Sequence, residues 1–161
     1  MSADLAPVTL RRITSETVRA VTQLSVDESQ RMFVASNAVS LAQALFAPEA
    51  WYRAIYVGEA LAGFVMLEDQ SLLTPPPAKP KVGVWRFMID AKFQRRGIGT
   101  AVILQIIEHV RFKGVFSSLT LSYVPGPGCP EPFYLGLGFR HTGRIDEDEI
   151  VLEFPLAGRV L

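Results

Sequence analysis

The feature that most constrains this chain is a strand-like run, a basic glycine-bearing loop and a strongly helical run, in that order. Val82-Gly83-Val84-Trp85-Arg86-Phe87-Met88-Ile89 is followed by Gln94-Arg95-Arg96-Gly97-Ile98-Gly99 and then by a helical stretch over 100–112. Such an arrangement binds phosphate. Loop N–H groups and the helix's first unpaired N–H groups converge on one point, and the helix dipole favours negative charge there. Gly97 and Gly99 are expected to matter because a Cβ at either position would hold a phosphate away from the backbone. Two widespread phosphate loops do not fit. No Lys or Ser follows Gly99 as G-x-x-x-x-G-K-[ST] requires, and from Gly97 the pattern G-x-G-x-x-G meets Val102 at its last position.

The loop instead reads Q-x-x-G-x-G. Further on, Tyr134-Leu135-Gly136-Leu137-Gly138-Phe139 reads Y-x-x-x-G-F, one helix and one strand candidate (119–123) after the loop. On these two motifs the chain resembles the GNAT superfamily of N-acetyltransferases. Trp85 to Asp90, the stretch from Val26 to Asn37, and Gly63-Phe64-Val65-Met66 resemble its bacterial spermine/spermidine (diamine) N-acetyltransferase branch. The resemblance covers roughly residues 8–154 and implies acetyl-CoA as co-substrate, with no metal.

Composition sets the outer limits. At 161 residues the chain is one domain by length, 1–161, with a core over about 8–154. Zero formal net charge offers no general field for nucleic acid or an anionic membrane. The one cysteine, Cys129, fits a reducing compartment. No signal pattern opens the chain, and no apolar run approaches the ~20 residues that span a bilayer. A cytoplasmic protein is expected. Its partner is a small-molecule amine, with no nucleic acid and no membrane; a homodimer is left open.

Alternation predicts strands over 8–13, 53–57, 61–67, 82–89 and 149–154, with Gly58-Glu59 turning a hairpin. Thr14 is read as the N-cap of a helix carrying Val18, Val21 and Leu24. A second helical region includes Phe33 and Val34. Ser40 with Gln43 reads as a capping box, and Pro48 ends that helix. Ile98, Val102, Ile103, Ile106, Ile107 and Val110 form one apolar stripe. Residues 69–81, with four prolines, read as a surface loop. The fold class is α/β (α+β): a mixed, mostly antiparallel sheet flanked by helices, with central strands splayed as the resemblance implies.

The resemblance assigns the cofactor to Phe87, Met88 and Ile89 through their backbone, and to Gln94, Arg95, Arg96, Gly97, Ile98, Gly99 and Thr100 at the pyrophosphate. It makes Tyr134 the general acid for the leaving thiolate. A phenol of pKa ~10 holds its proton where a thiol of ~8.5 begins to lose one. The alternative is a core tyrosine packed with Phe133 and Phe139. Where the family often carries Asn before this tyrosine, the chain has Pro127. The acceptor site is expected from Asp27, Glu28, Gln30, Phe33 and Trp51, with Trp85 beneath, because a polyamine needs carboxylates for its ammonium groups and apolar lining for its methylenes. Glu28 doubles as a proton relay. Asp27 and Glu28 read equally well as a solvated helix face. His109 and His141 show no partner and are set aside as metal or nucleophile sites; Cys129 is assigned to packing. The rivals are another acceptor (an aminoglycoside-like amine, an amino acid or a protein N-terminus) and a non-catalytic acyl-CoA-binding regulatory module.

Overall fold

A computed structural model describes residues 6–33 and 35–156. In chain order the elements are β1 (Val8–Arg11), α1 (Val18–Gln23), α2 (Asn37–Ala44), β2 (Ala50–Val57), β3 (Ala60–Asp69), β4 (Val82–Ile89), α3 (Ile98–Lys113), β5 (Ser118–Tyr123), α4 (Glu131–Leu137), β6 (Arg140–Asp146) and β7 (Glu149–Pro155). Short 3-10 turns cover Glu28–Phe33, Gln70–Leu72 and Ala91–Phe93. Among the described residues the strands form one seven-stranded sheet, ordered β1-β2-β3-β4-β5-β7-β6. Every neighbouring pair is antiparallel except β4 and β5, which α3 joins by a crossover as parallel strands require. The fold is the mixed α/β arrangement expected from the sequence.

α1 and α2 cover one face of the sheet over Val21, Ala54, Phe64, Met66 and Met88. α3 and α4 cover the other, where all six stripe residues of α3 are buried. Each such aliphatic side chain contributes on the order of 1.5–3 kcal/mol by leaving water, so α3 is the clamp on that face. Gly114 ends it in the left-handed conformation at φ 70°, its N–H bonded to Arg111 O.

Two features of β4 open the sheet. Its pairing with β5 covers Val82, Gly83 and Val84 and then stops. At the same point its register with β3 shifts: Met66 opposes Arg86 and Leu67 opposes Val84, which leaves Trp85 as a bulged extra residue. A bulge bends its strand and strengthens the local twist, so β4 turns away from β5 after Val84. The inserted residue also resets the alternation. Val84 and Phe87 pack on the α3 face, and Trp85 and Met88 on the α2 face.

Several boundaries differ from the sequence reading. Ser36, not Ser40, caps α2 by accepting from Val39 N–H; Ser40 is buried inside the helix, its Oγ bonded to Ser36 O. Thr14 opens a turn before α1, its carbonyl accepting from Thr17 and Val18 N–H, while Thr17 holds the cap position. The second helical region is the 3-10 turn Glu28–Phe33; Val34 lies outside the described residues. The 69–81 segment begins in the interior: Asp69 is fully buried, and its carboxylate accepts from Ser71 N and Oγ and pairs with Lys113 at the end of α3.

His109 of α3 stacks on Trp51 of β2 with ring centroids 4.6 Å apart. Its Nε2 is buried without a hydrogen-bond partner among the described residues. Burial, and then the Lys113 ammonium, hold this imidazole below its ordinary pKa. The unfolded chain therefore takes up a proton near pH ~6.5 while the folded one resists. The neutral ring's contribution is complete above that pH and is lost as pH falls through the depressed folded value. His109→Phe, which keeps the stacked ring, is expected to flatten the fall in melting temperature between pH 7 and 5. Parallel melting curves for the two proteins over that range would refute it.

Candidate active site

The strand–loop–helix segment folds into a cradle of free backbone N–H groups. Gly97 is the N-cap of α3 at φ 78°, and Arg95 also lies at positive φ, 64°. The first intrahelical bond runs from Ala101 N–H to Gly97 O; no backbone N–H from Arg95 to Thr100 donates to a described residue. Successive free N–H groups around a positive-φ turn form an anion-binding concavity, which the start of a helix reinforces. A Cβ built on Gly97 meets nothing within 4 Å.

Gly99 departs from the expectation that both glycines face phosphate. Its Cβ would meet the Phe133 ring at 3.3 Å and Phe87 at 3.7 Å. This glycine admits the aromatic wall of α4. Gln94 has a structural task as well: its Nε2 donates to Ile89 O at 3.0 Å and to Gln30 Oε1 at 2.8 Å, pinning the loop to the end of β4. Arg95 lines the groove beside the loop, whereas Arg96 is turned onto the Phe93 ring, 5.5 Å from its centroid.

A groove of about 1130 Å³ runs from this cradle through the gap between β4 and β5. On the α3 side Phe87, Ile89, Phe133 and Tyr134 line it, with Met88, Ile98 and Thr100 also reaching it. The edge of β4 from Trp85 to Ile89 has no strand partner on its β5 side, so its backbone can pair with an extended ligand as a further strand would. Beyond the gap the groove reaches the opposite face. There it meets Glu68, Trp85, Arg86, Ser122 and Glu149, and the β6–β7 turn residues Asp146 and Glu147.

Tyr134 sits on α4 with its ring edge-on to Phe133 (5.1 Å) and Phe139 (5.6 Å). It is 8% exposed, its hydroxyl makes no hydrogen bond to a described residue, and it borders the groove. Burial pushes its phenol well above the ordinary value, so it carries its proton at any working pH. Tyr123, which sequence reading left as a strand residue, ends β5 at the same groove. Its hydroxyl is buried without a hydrogen-bond partner among the described residues, and burial, with the charge of Glu131 second, pushes its pKa up to about 12. Cys129 is half-buried beside them and packs against the core.

The expected acceptor residues are not brought together. Gln30 and Trp85 line the groove; Asp27 and Glu28 are solvent-exposed and do not. Trp51 is held between His109 and Arg53, away from the opening. The side chain of Phe33 lies outside the described part of the molecule. The carboxylates that do line the far half are Glu68, Asp146, Glu147 and Glu149. The run from Asp146 to Glu149 has the composition of a hairpin turn. It is one, with Glu147 and Asp148 at φ 47° and 69°, but it also borders the groove. No group of three or more His, Cys, Asp or Glu among the described residues is placed to hold a metal, and no helix among them is long and apolar enough to cross a membrane.

A helix-start N–H cradle beside parted parallel strands forms one continuous groove, and a family match says what class of protein carries it. The profile of the Acetyltransferase (GNAT) family matches residues 14–127, and the chain belongs to that family. As a member it is an N-acetyltransferase, with acetyl-CoA as the family's co-substrate. No curated protein sequence matches it. Among solved structures it is similar to the PaiA N-acetyltransferase of Thermoplasma acidophilum in complex with coenzyme A (14% identity, TM-score 0.66, 92% of this chain and 99% of that one). It is also similar to an acetyltransferase from Thermus thermophilus (16%, TM-score 0.70, 94% and 98%). A third is the ribosomal-protein-S18-alanine N-acetyltransferase of Escherichia coli (16%, TM-score 0.66, 96% and 99%). At these identities the likeness is one of fold.

Proposed function

We propose that this protein transfers acetyl directly from acetyl-CoA to the primary amine of a small acceptor, within a ternary complex. The observation that carries the reading is the continuity of the groove. It leads from the N–H-rich cradle past Tyr134, through the β4–β5 gap, to a charged pocket on the opposite face. Two substrates entering from opposite faces meet at the gap.

Acetyl-CoA supplies an activated thioester; transfer forms a C–N bond and breaks a C–S bond, the amine losing a proton and the thiolate gaining one. In this reading the N–H groups of Gly97 to Thr100, with Arg95, hold the pyrophosphate. The free edge of β4 at Phe87, Met88 and Ile89 holds the pantetheine arm, and Tyr134 supplies the proton. One acceptor reading is a polyamine such as spermidine. The branch resemblance supports it, as do the carboxylates of Glu68, Asp146, Glu147 and Glu149, which take the place first given to Asp27 and Glu28. A second acceptor reading, an amine that also bears a carboxylate, is favoured by Arg86 in the same half of the groove.

Initial rates of thiol release, with acetyl-CoA and a panel of amines each varied against the other, test the reading. Sequential kinetics are expected, and Cys129→Ser should keep them. Parallel reciprocal plots, abolished with Cys129→Ser, would instead indicate an acyl-cysteine and overturn direct transfer.

A further inference from the structure

The acceptor half of the groove contains a guanidinium that forms no direct ion pair among the described residues. Arg86 is half-buried and lines the groove. Its Nη1 donates to Trp85 O at 2.9 Å and its Nη2 to Gln43 Oε1 at 3.3 Å, while Nε is shut off from solvent with no partner. It forms no ion pair with any described residue, whereas Arg11, Arg111, Lys113 and Arg140 each do. Glu149 is close enough for its charge to act on Arg86, but its carboxylate accepts from Ser122 Oγ at 3.3 Å.

Partial desolvation of a cation without an anion is unfavourable, and a guanidinium presents a planar fork suited to a carboxylate. Arg53 offers a comparison outside the groove. It too is half-buried and forms no ion pair with a described residue, but it lies 4.4 Å over the Trp51 ring, where the aromatic face compensates. Arg86 is 5.8 Å from the Trp85 centroid, a looser contact, and borders open volume. Its two Nη contacts, to the Trp85 carbonyl and to the exposed side chain of Gln43 on α2, are to neutral groups and leave its charge uncompensated by either.

We propose that Arg86 binds a carboxylate carried by the acceptor, so that the acceptor class is an aminocarboxylate, one small molecule bearing both a primary amine and a carboxylate. Arg86 takes the anionic end. Glu149 and Glu68, which line the same half of the groove, take the ammonium end until it gives up its proton. A zwitterion matches both signs of charge in the pocket; a polyamine matches one and is repelled by Arg86. The proposal rests on the acetyltransferase reading for the identity of the site, and its test separates the two.

The experiment uses the full chain. Thiol release from acetyl-CoA is measured with 4-aminobutyrate and 6-aminohexanoate against hexylamine, 1,6-diaminohexane and spermidine. The wild type should favour an aminocarboxylate over the amine of matching length by about tenfold or more in kcat/KM, the scale of one charge-assisted contact. Arg86→Gln should raise KM for the aminocarboxylate at least about tenfold more than KM for hexylamine, and Arg86→Lys should recover part of the loss. Acetyl-CoA affinity, measured by calorimetry, serves as the check that the variants are folded. In parallel, calorimetry on the coenzyme A-loaded protein measures binding of the product, 6-acetamidohexanoate. Arg86-dependent product binding without thiol release would uphold the carboxylate site and sink the transferase reading. A wild type that prefers the diamine or spermidine, or product binding indifferent to Arg86→Gln, would overturn the proposal.

Discussion

Tyr134→Phe is expected to lower turnover about 10²-fold, within the ordinary range for loss of a positioned acid, while acetyl-CoA binds as before. The phenol is buried between Phe133 and Phe139, and its hydroxyl, at the groove, makes no hydrogen bond to a described residue. Removing the oxygen leaves no buried partner unsatisfied, so stability should hardly change. The raised phenol pKa cuts both ways. It keeps the proton on Tyr134 at working pH, yet widens the gap to an ordinary thiol. A thiolate formed in the same desolvated place has its own pKa raised, which narrows that gap again. At minimum the hydroxyl is a donor to the developing sulfur charge, worth about 1.5–3 kcal/mol for a charge-assisted bond. The measurement is steady-state kinetics beside calorimetry. Wild-type turnover in Tyr134→Phe would transfer the role to Tyr123, whose buried hydroxyl borders the same groove.

The legible part of this molecule is the part written locally. The α3 stripe could be read because helical periodicity needs no tertiary knowledge, and all six of its residues are buried. The cradle could be read because Gly97, a strand before it and a helix after it lie within one short segment. The acceptor half could not, because it is assembled across distant elements. Asp27 and Glu28 looked suitable by type, but the turn at Glu28–Phe33 leaves them solvent-exposed, while Glu68 of β3 and Glu149 of β7 reach the groove.

A single inserted residue explains much of the rest. Simple alternation along β4 from Val82 would put Val84, Arg86 and Met88 on one face. The bulge at Trp85 separates them, sending Phe87 and Ile89 to the α3 side and turning Arg86 toward α2 and the acceptor half. Nothing in the composition of this strand marks where the extra residue falls, since bulges depend on the neighbouring strand's register. The same bulge lies where β4 leaves β5. One backbone irregularity thus opens the groove and chooses which side chains face it.

Gly97→Val is expected to weaken acetyl-CoA binding by about 10–100-fold, the loss of one or two charge-assisted N–H contacts to phosphate. Two effects must be separated. A valine at φ 78° is strained wherever it stands, costing on the order of 1–2 kcal/mol. The side chain would also occupy the open space in front of the α3 N–H groups, where a Cβ meets no protein atom within 4 Å. Gly114 supplies an internal control at the other end of the same helix. It has nearly the same conformation, φ 70°, and a Cβ there also meets nothing within 4 Å. Gly114→Val should therefore lose similar stability and bind acetyl-CoA normally, because no free N–H cradle stands beside it. Gly99→Ala is a poorer test, since its methyl would press on Phe133 and disturb the Tyr134 wall. Calorimetric titration of acetyl-CoA into the two valine variants, with melting temperatures alongside, gives the comparison. Equal affinities in proteins equally destabilised would mean that the pyrophosphate is held somewhere other than the start of α3.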